Sequence, residues 1–178
     1  MRRISVLAVV LAVLFFQVTS VDACGDKLLV LGRGVRFQRA YKAPHPANVL
    51  VLWRVDPQQP NSGKDAQFRA LLTAVGHKVT MAYSPSETQT ALQSQEFDVL
   101  IFEFQDEIYV DSSLASIAKR PSALPIIYRP SNAIMTSARQ KYRWVIKAPA
   151  KPGQLLAAID ELMDQRSKLG TATITQKH

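Results

Sequence analysis

Cysteine, histidine and glycine are all scarce in this 178-residue chain, and each scarcity narrows its chemistry. The single cysteine, Cys24, leaves no partner for an internal disulfide. Three histidines, His45, His77 and His178, stand far apart without metal-ligand spacing, which argues against a zinc site. Of the seven glycines only Gly32 and Gly34 form a Gly-x-Gly, and a phosphate loop needs further glycines and a helix behind them. No serine lies in a nucleophile-elbow context. Ser84, Ser112 and Ser131 fall at expected helix starts, where capping accounts for them. Beyond the N-terminus no apolar run approaches the roughly 20 residues of a membrane-spanning helix. Internal repeats and low-complexity blocks are absent as well.

What is present begins with Arg2 and Arg3, an apolar run from Ile4 to Phe16 interrupted only by Ser5, and the more polar "QVTSVDAC". A basic start, an apolar stretch of this length and small residues before the end form the pattern of a secretory signal peptide over residues 1–23. Cleavage there would make Cys24 the first mature residue, the place where bacterial lipoproteins carry lipid. An ordinary signal-peptidase site that happens to precede a cysteine is the alternative. The expected location is therefore exported, periplasmic or secreted, with membrane attachment if Cys24 is lipidated.

Twenty-two Lys and Arg oppose 14 Asp and Glu, a net charge of +8; removing residues 1–23 takes away two arginines and one aspartate and leaves +7. Such a charge steers association and favours solubility but does not define a fold. Nucleic acid is not an expected partner, because export separates the chain from it. Apart from Arg33, Arg36, Arg39 and Lys42 the basic residues are also dispersed.

A hydrophobic content of 47% with 20% charge is that of a globular domain. Residues 24–47 read as an extension, ending in the proline-rich linker "KAPHPA". From Asn48 onward short apolar strands alternate with amphipathic helices. The strands are "NVLVLW" (48–53), "KVTMAY" (78–83), "DVLIFEF" (98–104), "ALPIIYR" (123–129) and "RWVIK" (143–147). Phe68, Leu71, Leu72 and Val75 follow helical spacing, with Gly76 as terminator. Ser84, Pro85 and Glu87 have the order of an N-cap, first-turn proline and capping-box acid. Further helices are expected over 112–119, 131–142 and 151–166, and a loose tail over 167–178. Five such strands imply a parallel sheet with helices on both faces, whose ligands gather at the carboxyl ends of the strands.

The order and lengths of these elements, from roughly Asn48 to Gln165, resemble a response-regulator receiver domain. "FDVLIFE" is similar to that family's third strand, "LPIIY" to its fourth, and "VIKAPAKPGQLLAAI" to its fifth strand, turn and last helix. The resemblance implies a flavodoxin-like three-layer sandwich. It also implies a phosphoryl site with an aspartate ending strand three, two acids after strand one, a hydroxyl after strand four and a lysine ending strand five. Here Glu103 stands at the phosphoacceptor position, and Trp53 and Arg54 replace the acidic pair. Arg129 and Pro130 fall where the hydroxyl belongs, with Ser131 a shift away. Lys147 matches the lysine, with Lys151 as the alternative.

Magnesium needs oxygen ligands, which an indole does not supply, and Arg54 would repel it. Phosphoryl transfer depends on positioning and on cations that neutralise the transferred group. The expectation is a pseudo-receiver: no enzyme, no cofactor, no metal, acting as a protein-interaction module of the bacterial cell envelope with an unidentified envelope partner. Trp53, Arg54, Tyr128, Tyr142 and Trp144 are the candidate contact surface, since Trp, Tyr and Arg are enriched at binding hot spots. The alternative is a small-ligand or cation-binding envelope protein using the strand-end crevice, with Asp56, Glu103, Asp106 and Glu107 as carboxylates. Solvated loop carboxylates are the simpler reading of those four. Finally, a carboxylate ending a buried strand needs a partner, and the expected one for Glu103 is Lys147.

Overall fold

The computed structural model describes residues 41–54 and 63–175, with side chains as far as Leu169. The expected signal peptide, Cys24, the Gly32–Gly34 loop, Asp56 and His178 lie outside the described residues.

Five parallel strands form one sheet: β1 (Asn48–Leu52), β2 (Lys78–Ala82), β3 (Val99–Glu103), β4 (Ser122–Tyr128) and β5 (Ile146–Ala148). Among the described residues five α-helices connect or follow them: α1 (Lys64–Ala74), α2 (Pro85–Ser94), α3 (Glu107–Ala115), α4 (Asn132–Lys141) and α5 (Pro152–Thr175). The order across the sheet is β2-β1-β3-β4-β5, the flavodoxin-like arrangement, with the chain reversing its direction of travel between β1 and β3.

Alternation along the strands sorts the core into two layers, because successive side chains point to opposite faces. Val49, Val51, Val99 and Ile101 pack under α1 and α5, against Leu72, Val75, Leu156 and Ile159. Leu50, Leu52, Leu100 and Phe102 face the other way, onto Leu92 of α2, Val110 of α3 and Tyr142 after α4. In β3 both sets are closed off, with Val99 through Phe102 at most 1% exposed. Each such side chain contributes about 1.5–3 kcal/mol by leaving water, so β3 is a firm support for the residues at its carboxyl end.

Helix ends follow the local chemistry. Ser84 Oγ accepts the Glu87 N–H at 3.2 Å, while Glu87 Oε2 accepts the Tyr83 N–H at 2.8 Å, a capping pair that fixes the exit from β2. Ser131 Oγ likewise accepts the Ile134 N–H at 3.3 Å. At the end of α1, Gly76 takes a φ of 109°. It donates to the Thr73 carbonyl while His77 donates to that of Leu72, the paired bonds of a Schellman turn.

Several element boundaries differ from the sequence expectation, among them β5, expected over 143–147 and observed at Ile146–Ala148. The helix expected over 112–119 runs from Glu107 to Ala115, after a 3-10 turn at Phe104–Asp106. Ser112 is therefore no cap: its hydroxyl donates to the Tyr109 carbonyl within the helix. The acids at 106 and 107 favour a helix start there through the dipole. The last helix continues to Thr175, past the expected end at Arg166. Arg166 donates to the Arg120 carbonyl and Lys168 pairs with Asp164 at 2.6 Å one turn earlier. The proline-rich segment before β1 is held against the domain. Ala43 N–H donates to the Val75 carbonyl at 2.9 Å, Tyr41 donates to Asp160, and Ala43 and Ala47 are buried.

Candidate functional site

In an open parallel sheet the crevice lies outside the carboxyl ends of the strands, where the chain reverses between two neighbours. Here those neighbours are β1 and β3, and the residues that leave them meet. Trp53 prolongs the β1 ladder, its N–H donating to the Ala82 carbonyl at 2.8 Å, and its ring tilts onto Phe68 at 5.4 Å. That directs Arg54 across the crevice. Its Nε donates to Asp106 Oδ1 at 2.8 Å and Oδ2 at 3.0 Å, and Nη2 also donates to Oδ1. The Asp106 side chain is 1% exposed, whereas that of Arg54 is half open to solvent. Pairing with Asp106 holds the guanidinium pKa above its ordinary value.

Glu103 ends β3 on the α1/α5 face and is half-buried. Its Oε2 accepts Gln105 Nε2 at 2.5 Å. Burial, and then the nearby Asp106 charge, raise the Glu103 carboxyl above its usual range; Arg54 and the Gln105 bond pull it back in part.

Beside it, β4 ends at Tyr128, which is 56% exposed. Arg129 follows with a φ of 46°, a left-handed conformation that costs a non-glycine residue roughly 1–2 kcal/mol. The turn takes the chain off the sheet and leaves the Tyr128 ring at the edge. Desolvation by the strand ends, and then the Glu103 charge, raise its phenol pKa. Two small pockets flank this ring, each about 260 Å³. One is bounded by Glu103, Phe104, Ile127 and Ile134; the other by Phe68, Leu71, Pro149, Lys151 and Leu155. A more open hollow of about 460 Å³ lies away from this edge, between the ends of α2 and α3, with Glu96 and Lys119 paired on its rim.

The expected ion pair between Glu103 and Lys147 is not formed. β4 stands between β3 and β5, and Lys147 is an exposed residue in the middle of β5, between the buried Ile146 and Ala148. Lys151 is no substitute, since it lies at the start of α5, where its N–H donates to Gln154 Oε1. The expected contact surface divides too. Trp53, Arg54 and Tyr128 share the carboxyl edge. Tyr142 is only 7% exposed and packs edge-on against Phe102 and Phe104, so it belongs to the core. Trp144, 36% exposed, precedes β5 and so lies on the amino-terminal side of that strand.

Of the four carboxylates weighed as a cation site or as solvated loops, Asp56 lies outside the described residues, and the other three form neither as a set. Asp106 is buried on Arg54, and Glu107 pairs with Lys141 at 2.9 Å. Among the described residues no three His, Cys, Asp or Glu side chains gather around a point that could hold a metal ion. His77 is buried and accepts the Ala47 N–H through Nδ1 at 3.1 Å, a core role.

Sequence reasoning missed the role of Asp106 as the buried partner of Arg54. "FQDEIYV" reads as a polar loop after a strand, and only the position of Arg54 directly after the neighbouring strand hinted at such a pair. With this geometry in place, comparison with family models, with curated proteins and with solved structures found no match for the chain.

Proposed function

We propose that this protein is a non-catalytic, receiver-like binding module, exported to the cell envelope, that contacts a protein partner through the carboxyl edge of its sheet. The observation that carries the reading is that four of the six exposed large apolar side chains among the described residues follow the carboxyl ends of strands. Tyr83 follows β2, Ile108 follows β3 in the first turn of α3, and Tyr128 and Ile134 flank the exit from β4. Ile108 is 85% exposed. Scattered single apolar residues carry no meaning, but four that follow the carboxyl ends of β2, β3 and β4 concentrate apolar and tyrosine surface on one side of the sheet. The Arg54–Asp106 pair supports the non-catalytic half of the reading. Its cation already neutralises the buried carboxylate, in the crevice where phosphoryl chemistry would need a free acidic site for magnesium.

Two experiments test this. Ile108→Asp and Tyr128→Asp should abolish capture of the same partner that the wild-type chain takes from envelope extract, identified by mass spectrometry, while Leu169→Ser retains it. Incubation with acetyl phosphate and magnesium should leave the mass unchanged. Capture insensitive to both edge substitutions, or a stoichiometric phosphoryl adduct, would overturn the reading. Export and lipid attachment at Cys24 are tested separately, by palmitate-analogue labelling of wild type against Cys24→Ser.

A further inference from the structure

We propose that the pocket between β3 and β4 receives a lysine side chain of the partner, with its ammonium on Glu103 and its methylenes against the isoleucines. This inference deepens the binding-module reading and rests on it. The first support is size: about 260 Å³ falls below the roughly 300–1,000 Å³ of sites for small molecules and cofactors, so a single side chain suits it better. The second is the lining. Ile126, Ile127, Ile134 and Phe104 make apolar walls, and Glu103 is the one ionisable carboxylate among the residues around it.

The third support is charge. Arg54 is engaged by Asp106 beside the pocket, and among the described residues Glu103 has no ion-pair partner within 4 Å, with Arg54 offsetting its charge only in part. A carboxylate held in a desolvated place beside a like charge gains more from an incoming cation than an exposed one does. Glu103 Oε2 is taken by Gln105, and among the described residues Oε1 accepts no hydrogen bond. A guanidinium binds carboxylate best through both oxygens, whereas an ammonium acts as a point charge and needs only one. That distinction assigns lysine over arginine. The Tyr128 ring at the pocket wall adds a face on which an ammonium can rest.

The test uses butylammonium, which has the lysine side chain's atoms, titrated into the full chain with its isoleucine methyls labelled for NMR. Saturable shifts are expected at Ile126, Ile127 and Ile134. Binding should weaken at least tenfold in Glu103→Gln, and by a smaller factor in Tyr128→Ala. 1-Butanol should bind at least tenfold more weakly than butylammonium. In the wild type, affinity should fall as pH is lowered through the titration of Glu103, an arm that needs no substitution. Shifts that do not saturate, equal binding by Glu103→Gln, or 1-butanol binding as tightly would overturn the proposal, and tighter butylguanidinium would overturn the lysine assignment. Failure here is distinguishable from failure of the module reading. Partner capture lost in Ile108→Asp but unchanged in Glu103→Gln removes the lysine pocket and keeps the module; butylammonium binding with no edge-dependent partner does the reverse.

Discussion

The guanidinium of Arg54, half open to solvent, closes on the carboxylate of Asp106, which is buried to within 1% of complete exclusion. The two leave neighbouring strands, β1 and β3, and meet where an open α/β sheet keeps its ligand crevice. A buried carboxylate without a cation would be costly, and its counter-charge here comes from the chain itself. The crevice is thereby given to structure; in the reading proposed above, contact with a partner falls instead to Glu103, Tyr128 and the apolar residues of the edge.

Removing the cation should hurt more than removing the pair. Arg54→Met leaves Asp106 buried and uncompensated, a change that costs about 3–5 kcal/mol where both partners are buried and less here, about 1–3 kcal/mol, because Arg54 is half open to solvent. Replacing both, as Arg54→Met with Asp106→Leu, should recover most of that loss, because similar apolar volume substitutes for a buried pair. Denaturant midpoints at unchanged slope measure both. A double variant no more stable than Arg54→Met would mean that the pair contributes more than mutual neutralisation.

The five strands and the two-sided packing were legible because "NVLVL" and "VLIFE" are short, nearly continuous apolar runs, and because Leu72, Val75, Leu155 and Ile159 fall at helical spacing within their helices. The site was legible in part. Glu103 and Tyr128 fall at strand ends, where position alone marks them. The pairing of Asp106 was hidden because its partner lies 52 residues earlier, and local polarity looks the same for a solvated acid and for one folded onto a cation. Lys147 misled for a related reason: an ion pair between strand ends requires the strands to be neighbours, and β4 intervenes. Tyr142 read as surface because a tyrosine after a basic helix end has no marker of burial. Its burial comes from Phe102 and Phe104, which only the fold brings to it.

Glu103→Gln should stabilise the domain at neutral pH. The folded carboxyl titrates above its unfolded value, so its contribution is fully present below the unfolded pKa and is lost as pH rises through the folded one. At pH 7 the ionised group therefore opposes folding, by no more than about 1 kcal/mol for a half-exposed carboxylate screened by solvent. The advantage of Glu103→Gln should vanish in acid below the carboxylate range. Combined with Lys147→Met its effect should be additive, as for residues that share no contact. Coupling near 1 kcal/mol would place the lysine on Glu103 after all.

Tyr142 should behave as core and Trp144 as surface. Tyr142→Ala removes a ring wedged against Phe102 and Phe104 at 5.9 and 6.3 Å, and large-to-small changes of this kind cost about 3–5 kcal/mol. Trp144→Ala should cost less than Tyr142→Ala, since about a third of Trp144 already meets water while Tyr142 is only 7% exposed. Burial, with Asp111 nearby, pushes the Tyr142 phenol up to about 12. In an ultraviolet titration of the folded chain it should ionise after the ordinary tyrosines, and Tyr142→Phe should remove that late step.

His77 should make the fold acid-sensitive in a range where few other side chains titrate. It is 3% exposed, and Nδ1 accepts the Ala47 N–H at the entry to β1, a bond that requires the neutral ring with its proton on Nε2. Protonating Nδ1 would set two donors against each other and bury a charge. Burial lowers the folded pKa below the ordinary 6.5. The contribution is therefore complete above the unfolded pKa and is lost as pH falls toward the folded one, with a limiting slope of about 1.4 kcal/mol per pH unit for one proton. Denaturant midpoints should fall between pH 7 and pH 5 in the wild type. His77→Gln, whose amide oxygen can still accept from Ala47 and does not titrate, should flatten that fall. His77→Phe should flatten it as well, but from a stability lower by about 1–3 kcal/mol because the Ala47 N–H loses its acceptor. Parallel pH profiles in wild type and His77→Gln would show that His77 does not carry the proton linkage.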